Sequence, residues 1–437
     1  MSDQFAKGTV IRTAFQHTAT VLSFIAAGGQ GMVYLVDYNG QKKAMKWYKP
    51  SFIADKGQYF YEHIRSNVRR GSPSKEFLWP LDITEWMDES FGYIMDLKPD
   101  GYYEITDYML GNVHFSSYRT IIDASLSIVS AYRHLHNDGY SYQDLNHGNF
   151  FIKPDTGKVL ICDTDNIAPD GEQTGIVGTP RFMAPEVVMN RSMPNSLSDR
   201  FSMSVVLFIL FCLNHPLEGK RYLVPSLTPV LQEKLYGSEA LFMMDPTDHG
   251  NEPHPIVHRN ILQVWPCLPD YMQEFFCRTF SQKALFKPSA RPSEIEWLQL
   301  LTRFRSEIVT CACGNEIFTQ EGRPCKCDAC GKVPRIPFRL EFRDYSIPAM
   351  KGSRIYRCQL GVCSENVALS PVAVVLKKTD AASGEEVFGI LNKYGKKWDA
   401  ITTHGTHRKV SPEEVVPLKD GIVLNIEDAS IRISKNK

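Results

Sequence analysis

The run Tyr142-Gln143-Asp144-Leu145-Asn146-His147-Gly148-Asn149, followed by Asp163 at the end of an apolar stretch, constrains this chain more than any other feature. Phe150-Phe151-Ile152 and Val159-Leu160-Ile161-Cys162 read as the two strands of a short hairpin that ends on Asp163. The chemistry explains the spacing. Asp144 can accept the proton of an attacking hydroxyl, and Asn149 and Asp163 can hold the magnesium ions that bridge nucleotide phosphates. Buried Asp and Asn also serve as turn formers, so the rest of the chain has to supply the context.

At 437 residues the chain is long enough for two or three domains. Its 49 basic and 49 acidic residues cancel, so no global field draws it to nucleic acid or an anionic membrane. The first residues lack the basic and apolar regions of a secretory signal. The longest apolar run, Phe201 to Leu213, is too short for a bilayer span and reads as a buried helix. Of eleven cysteines, five crowd between Cys311 and Cys330, which suggests a metal site in a reducing compartment rather than a disulfide framework. A cytoplasmic protein is the expectation.

Val21 to Tyr34 reads as strand, glycine-rich turn, strand, with Gly28, Gly29 and Gly31 able to bring backbone N–H groups close to phosphates. Such clusters also occur as plain hairpin turns. The next strand carries Lys46, fifteen residues after Gly31 and placed to hold α- and β-phosphates. An amphipathic helix follows over about Asp55 to Arg69. A phosphate-holding lysine needs a carboxylate beside it. Asp55 at the helix start reads as a cap, so mid-helix Glu62 is the expected partner. Phe91 to Lys98 reads as a strand entering a turn, a hinge that includes Asp96 and Lys98 and offers its backbone to adenine. Ile121 to His136 is a strongly periodic helix leading into the Asp144 loop.

Taken in order and spacing, these motifs resemble a eukaryotic-type (Hanks-type) Ser/Thr protein kinase of the bacterial kind, over about residues 15 to 305. The resemblance implies an α+β bilobal domain that uses ATP with Mg2+ or Mn2+ on a protein substrate. Gly28 and Gly31 match the second and third glycines of the phosphate loop, Lys46 the third-strand lysine and Glu62 its helix partner. Asp144 matches the catalytic base, and Asn149 and Asp163 the metal ligands. Gly178-Thr179-Pro180 and Ala184-Pro185-Glu186 match the end of the activation segment, Asp199 the anchor of the catalytic loop, and Arg291 the partner of Glu186. Such bacterial kinases often act opposite a metal-dependent protein phosphatase, which the resemblance implies as a partner.

The pattern has departures. Ala26 stands at the first loop glycine, and Tyr142-Gln143 replace the usual His-Arg, which removes the partner of a phosphorylated activation loop. Asn146 stands where a lysine is usual; its amide can hydrogen-bond to the γ-phosphate but cannot neutralise it. Asp163-Thr164-Asp165 replaces Asp-Phe-Gly, so Thr164 cannot pack as a Phe does and Asp165 adds a second carboxylate near the metals. Three readings follow: an active protein kinase, a pseudokinase scaffold, or a small-molecule kinase. Retention of Lys46, Asp144, Asn149 and Asp163 favours the first over the second. The segment Gly178 to Glu186, with Asp199 and Arg291, argues against the third. Residues Pro216 to Trp265, rich in Pro and His, read as a solvated, loop-like insert.

Cys311-x-Cys313-Gly314 and Cys327-x-x-Cys330-Gly331 read as two metal knuckles, with Cys325 as a fifth candidate. Four thiolates suit a closed, structural Zn2+ site, a zinc ribbon over residues 306–336. No basic-aromatic patch in the sequence beside it argues for nucleic acid. From 337 to 437 the helical period gives way to short β-type runs, Arg354 to Gln359, Val372 to Lys377, Val387 to Leu391, Trp398 to Thr403, Ile422 to Ile426 and Ile431 to Ile433. This is an all-β sandwich pattern. The order Trp398, His404-Gly405-Thr406, Leu418 to Ile422 is similar to the late strands of forkhead-associated (FHA) domains, in a degenerate form without a phosphate-binding residue set. Docking or autoregulation is the expected use. The expected organisation is thus a kinase-like domain over 1–305, the ribbon and the sandwich.

Overall fold

In the computed structural model, the described residues are 4–55, 57–172, 178–320, 325–361, 367–379, 381 and 384–436. The chain divides into two compact units: residues 1–115 with 131–292, and residues 116–130 with 293–437.

The first unit opens with an antiparallel six-stranded sheet. Its strands are β1 (Val10–Arg12), β2 (Thr18–Ala27), β3 (Gly31–Tyr38), β4 (Gln41–Tyr48), β5 (Pro80–Ile83) and β6 (Gly92–Met95), in the order β1-β2-β3-β4-β6-β5. Alternation decides its two faces. Val21, Tyr34, Met45 and Ile94 pack on one side, while Tyr48, Phe91 and Tyr93 pack on the other. The helix Gly57–Arg70 seals the second face with Phe60, Ile64 and Asn67, one stripe at i, i+4 and i+7. Gly31 is fixed by sheet packing, because a Cβ there would stand 2.2 Å from the Trp47 carbonyl oxygen.

The second lobe of this unit carries the catalytic-type loop. The strand Tyr140–Ser141 pairs with Ala168–Pro169, and Phe150–Ile152 pairs antiparallel with Val159–Ile161, as the hairpin reading expects. The apolar run forms the helix Ser196–Cys212, buried along almost its whole length. Asn195 caps it: its side chain accepts from the N–H groups of Leu197 and Ser198. The segment read as a solvated insert is different in the fold. It contains the helices Pro229–Glu233 and Arg259–Val264, and it buries Leu217, Leu235, Tyr236 and Phe242. Glu218 is also buried there and takes a two-pronged contact from Arg181, at 2.5 and 2.8 Å. Pro and His content marked the turns but concealed this core.

The second unit contains the helix Glu294–Glu307, the two-stranded Ile308–Thr310/Glu316–Phe318 ladder and two larger sheets. One sheet has six strands, ordered Ser346–Pro348, Phe338–Glu341, Ala429–Lys435, Val423–Ile426, Trp398–Ile401, His407–Val410. The other has four, ordered Arg354–Tyr356, Pro371–Thr379, Glu386–Asn392, Val415–Pro417. Both contribute to one core that includes Leu340, Val375, Ile390, Trp398 and Leu424. The short strands Phe338–Glu341, Ser346–Pro348, His407–Val410 and Val415–Pro417 escape the sequence pattern, having too few residues to show alternation. Residues 321–324 of the expected ribbon lie outside the described residues. No helix among the described residues is long and apolar enough to cross a membrane.

Candidate functional site

Lys46 lies in β4, between β3 and β6, and its side chain is only 7% exposed. A buried ammonium needs compensating acceptors. Three converge on Nζ: Gln30 Oε1 at 2.7 Å, Asp163 Oδ1 at 3.0 Å and Asp165 Oδ2 at 2.8 Å. Burial works against the charge, but Asp165 and Asp163 outweigh it and hold the Lys46 pKa well above its ordinary value. The Tyr48 hydroxyl donates to the same Asp165 oxygen at 2.6 Å.

Glu62, the expected partner of Lys46, is not there. Its carboxylate is half exposed and pairs with Arg65 at 3.2 Å, with Gln58 donating to it at 3.3 Å. One helical step is a rotation of about 100°. Phe60, Ile64 and Asn67 face inward, so Glu62 faces water. The neighbouring His63 faces the Asp163–Asp165 turn and hydrogen-bonds to the backbone of Asp165 and Ile167. Asp165 is likewise not a spare carboxylate near metal ligands. Its side chain is 0% exposed and is directed at Lys46.

Asp163 and Asn149 do meet. Asn149 Nδ2 donates to Asp163 Oδ2 at 3.2 Å, across the hairpin that separates them in sequence. Asp163 holds a left-handed backbone conformation, φ 53°, uncommon outside glycine, Asn and Asp. Thr164 is buried beside it and donates to the Leu78 carbonyl at 2.9 Å. Asn149 Oδ1 accepts from the Asn146 backbone N–H at 2.7 Å, and Asn146 Oδ1 accepts from Gly148 N–H at 2.9 Å. Asn146 therefore has its amide oxygen engaged in shaping the loop, a second use for the residue expected at the γ-phosphate. A carboxylate and an amide oxygen are ligands that suit a hard divalent cation.

Asp144 is held from two sides. Asp199 accepts from the N–H groups of Tyr142 at 2.6 Å and Gln143 at 3.3 Å, which anchors the loop. Tyr142, in place of the usual His, is fully buried and donates to the Cys162 carbonyl. From the other side, Thr179 N–H donates to Asp144 Oδ1 at 3.3 Å. Burial pushes the Asp144 carboxyl up to about 6; Thr179 opposes the shift and Asp163 adds to it. Arg291 grips Glu186 with both terminal nitrogens, at 2.7 and 2.6 Å.

The remaining predicted positions are more peripheral. Gly28 and Gly29 have open space where a Cβ would stand. Asp96 pairs with Lys43 at 2.6 Å, and Lys98 donates to the Tyr102 carbonyl at 3.0 Å. Both follow β6, where the hinge reading placed them. Sequence reasoning missed Gln30 and Tyr48 entirely. Their one signal is position, in the glycine loop and two residues after Lys46.

In the second unit, the thiols of Cys311, Cys313, Cys327 and Cys330 lie within 4.8 Å of one another. Two Sγ–Sγ separations are 3.5 and 3.6 Å. Tetrahedral zinc at about 2.3 Å from each sulfur sets that edge at about 3.8 Å, so the donor set fits. Gly314 and Gly331 adopt φ 92° and 69°, and each N–H turns back to the first cysteine of its knuckle. That positive φ is the reason glycine follows each pair. Cys325 stands outside the group.

Residues 20–232 match the family described as protein kinase domain. The chain is 26% identical over 213 residues to protein kinase C-like 2 of Schizosaccharomyces pombe, a match covering 46% of this chain and 20% of that protein. It is 29% identical over 123 residues to the maternal embryonic leucine zipper kinase of Danio rerio, covering 27% and 18%. The chain thus spans about a fifth of these relatives' length. Among solved structures, the PknI kinase domain of Mycobacterium tuberculosis is 18% identical, with a TM-score of 0.43, covering 68% of this chain and 98% of that one. The first unit is accordingly protein-kinase-like over residues 20–232.

Proposed function

We propose that this chain transfers the γ-phosphate of ATP to a Ser or Thr hydroxyl of a protein. The observation that carries the reading is convergence: Lys46, Asn149 and Asp163 form one hydrogen-bonded set, although 117 residues separate Lys46 from Asp163. Mg2+ (or Mn2+), when bound, would neutralise charge on the transferring phosphate. Asn149 and Asp163 would hold it. Lys46 fixes the phosphates, Asp144 orients the hydroxyl and accepts its proton, and Gly28 and Gly29 leave the edge of the loop open beside Gly31, where sheet packing requires glycine. The backbone from Asp96 to Lys98 would receive adenine. Asn146 supplies shape and an amide N–H rather than a cation, which implies slow transfer.

The test is transfer of labelled γ-phosphate from ATP with Mg2+ or Mn2+, wild type beside Asp144→Asn, with the protein itself and a generic basic protein as acceptors. Label on the wild type alone, at Ser or Thr, is the expected result. A scaffold that binds nucleotide without efficient transfer is the second reading. It draws on the engagement of both Asp163 oxygens, by Lys46 and by Asn149. Nucleotide binding with no label on either protein would favour it.

The same reading extends to the second unit. Cys311, Cys313, Cys327 and Cys330 hold a structural Zn2+, and the two C-terminal sheets form a degenerate FHA-like sandwich used for docking or autoregulation. The clustered thiols suit a reducing, cytoplasmic setting. A bacterial signalling role opposite a metal-dependent protein phosphatase is part of the proposal.

A further inference from the structure

Lys46 needs a carboxylate, and no acid of the helix Gly57–Arg70 supplies it. We infer that Asp165 is the positioning residue that fixes Lys46 for phosphate binding. This rests on the kinase reading and deepens it. Asp165 Oδ2 takes two donors, Lys46 at 2.8 Å and Tyr48 at 2.6 Å, from adjacent inward positions of β4. Asp163 also reaches Lys46 but is 43% exposed, and it is needed for metal. Asp165 is sealed under Tyr48 and Tyr93. The short 3-10 turn Thr164–Asn166 that presents it is tied down by Thr164 on the Leu78 carbonyl. The anchor is therefore built into the metal-ligand turn instead of into a separate helix. The helix supplies no carboxylate to the Lys46 pair and meets this turn through His63, on the Asp165 and Ile167 backbone, and through Asn67, which donates to the Ile167 carbonyl just after the turn.

The experiment is a double-mutant cycle on Mg2+-dependent binding of a fluorescent ATP analogue, with phosphate transfer measured in parallel. Asp165→Asn should weaken binding at least tenfold, whereas Glu62→Gln stays within twofold of wild type. Because Asp165 acts through Lys46, adding Asp165→Asn to Lys46→Met should cost nothing further. Additive losses, or binding by Asp165→Asn within twofold of wild type, overturn the inference. If Asp165→Asn does not fold, Asp165→Gly with His63→Glu serves, moving the carboxylate to the inward helix position. Regained binding over Asp165→Gly alone supports the inference, and no gain in a folded double variant overturns it. Wild-type binding without transfer would sink the kinase reading but leave this test standing.

A separate observation concerns the second unit. A cleft of about 1520 Å³ runs beside the cysteine knuckles and the edge strand Arg354–Tyr356. Lys332, Arg335, Lys351, Arg354 and Lys435 line it with no ion-pair partner among the described residues. Of its acids, Glu386 is already paired with Lys377. Such a concentration of cations is not expected from a chain with equal acid and base totals. We propose that this cleft binds an extended acidic segment of another polypeptide. It is larger than a typical small-molecule pocket of about 300–1,000 Å³. Of its aromatic residues, Tyr356 and Phe388 are sunk to 9% and 7% exposure and Phe338 is partly buried against the core, which leaves little ring surface for stacking nucleotide bases.

The probe is a fluorescein-labelled decapeptide of Asp and Glu, titrated with the full chain and followed by anisotropy. The combined variant Lys351→Glu, Arg354→Glu, Lys435→Glu should weaken binding at least tenfold at unchanged melting temperature, and added salt should weaken the wild type. Equal binding by the variant, or tighter wild-type binding of single-stranded DNA of matching charge, overturns the proposal.

Discussion

The Lys46 cluster and the four-cysteine cluster are both constellations of functional side chains, but they are assembled over different distances. The thiols that touch are 19 and 14 residues apart. Lys46 reaches carboxylates 117 and 119 residues away. The cysteine site is written locally, as two pairs with a glycine after each. The lysine site exists only after two lobes have folded. Its Lys46 and Asp165 charges are buried and must be paired, whereas the proposed zinc would supply the folding energy of the thiol site.

Metal removal is the most severe test of that contrast. Elemental analysis of the wild type should find one bound zinc, and Cys327→Ser should abolish it. The ribbon should unfold, since structural zinc contributes about 10–16 kcal/mol in isolated fingers, while phosphate transfer persists. Loss of transfer in step with zinc would break the independence of the two sites.

Asp144→Asn should lower transfer about 10²–10⁴-fold with nucleotide affinity unchanged, read by comparing initial rates with ATP-analogue binding. Arg291→Ala strands the partly buried Glu186 and should cost about 3–5 kcal/mol of stability, seen as a lowered thermal midpoint. An unchanged midpoint would show that the pair holds nothing together.

A smaller effect concerns pH. Asp144 must be ionised to accept a proton, and burial raises its pKa to about 6. The rate should therefore fall as pH drops through 6, by about tenfold per unit on the acid limb. An acid limb near 4 would remove Asp144 as the titrating group. Smallest of all, Glu62→Gln should change stability by less than about 0.5 kcal/mol, because its pair with Arg65 is solvent-exposed.

Much of the first unit was legible because its signals are short-range. The hairpin that returns Asp163 to Asn149 is read from two apolar runs, and the buried helix Ser196–Cys212 from one. The helix that carries Glu62 was also legible, but its phase was not. A helical period says that some residues face inward; which ones depends on the sheet they meet. That sheet chose Phe60, Ile64 and Asn67 and left Glu62 in water. The buried segment around Glu218 was misread for a related reason, since its core is made with distant residues such as Arg181.

By itself, then, the sequence determined the proposed reacting set Asp144, Asn149 and Asp163, the lysine strand and the cysteine knuckles, all of which turns and strands of a few residues define. Only tertiary structure decided that Asp165 rather than Glu62 meets Lys46. A buried ammonium takes whichever carboxylate the packed lobes bring within about 3 Å, and sequence spacing does not encode that distance.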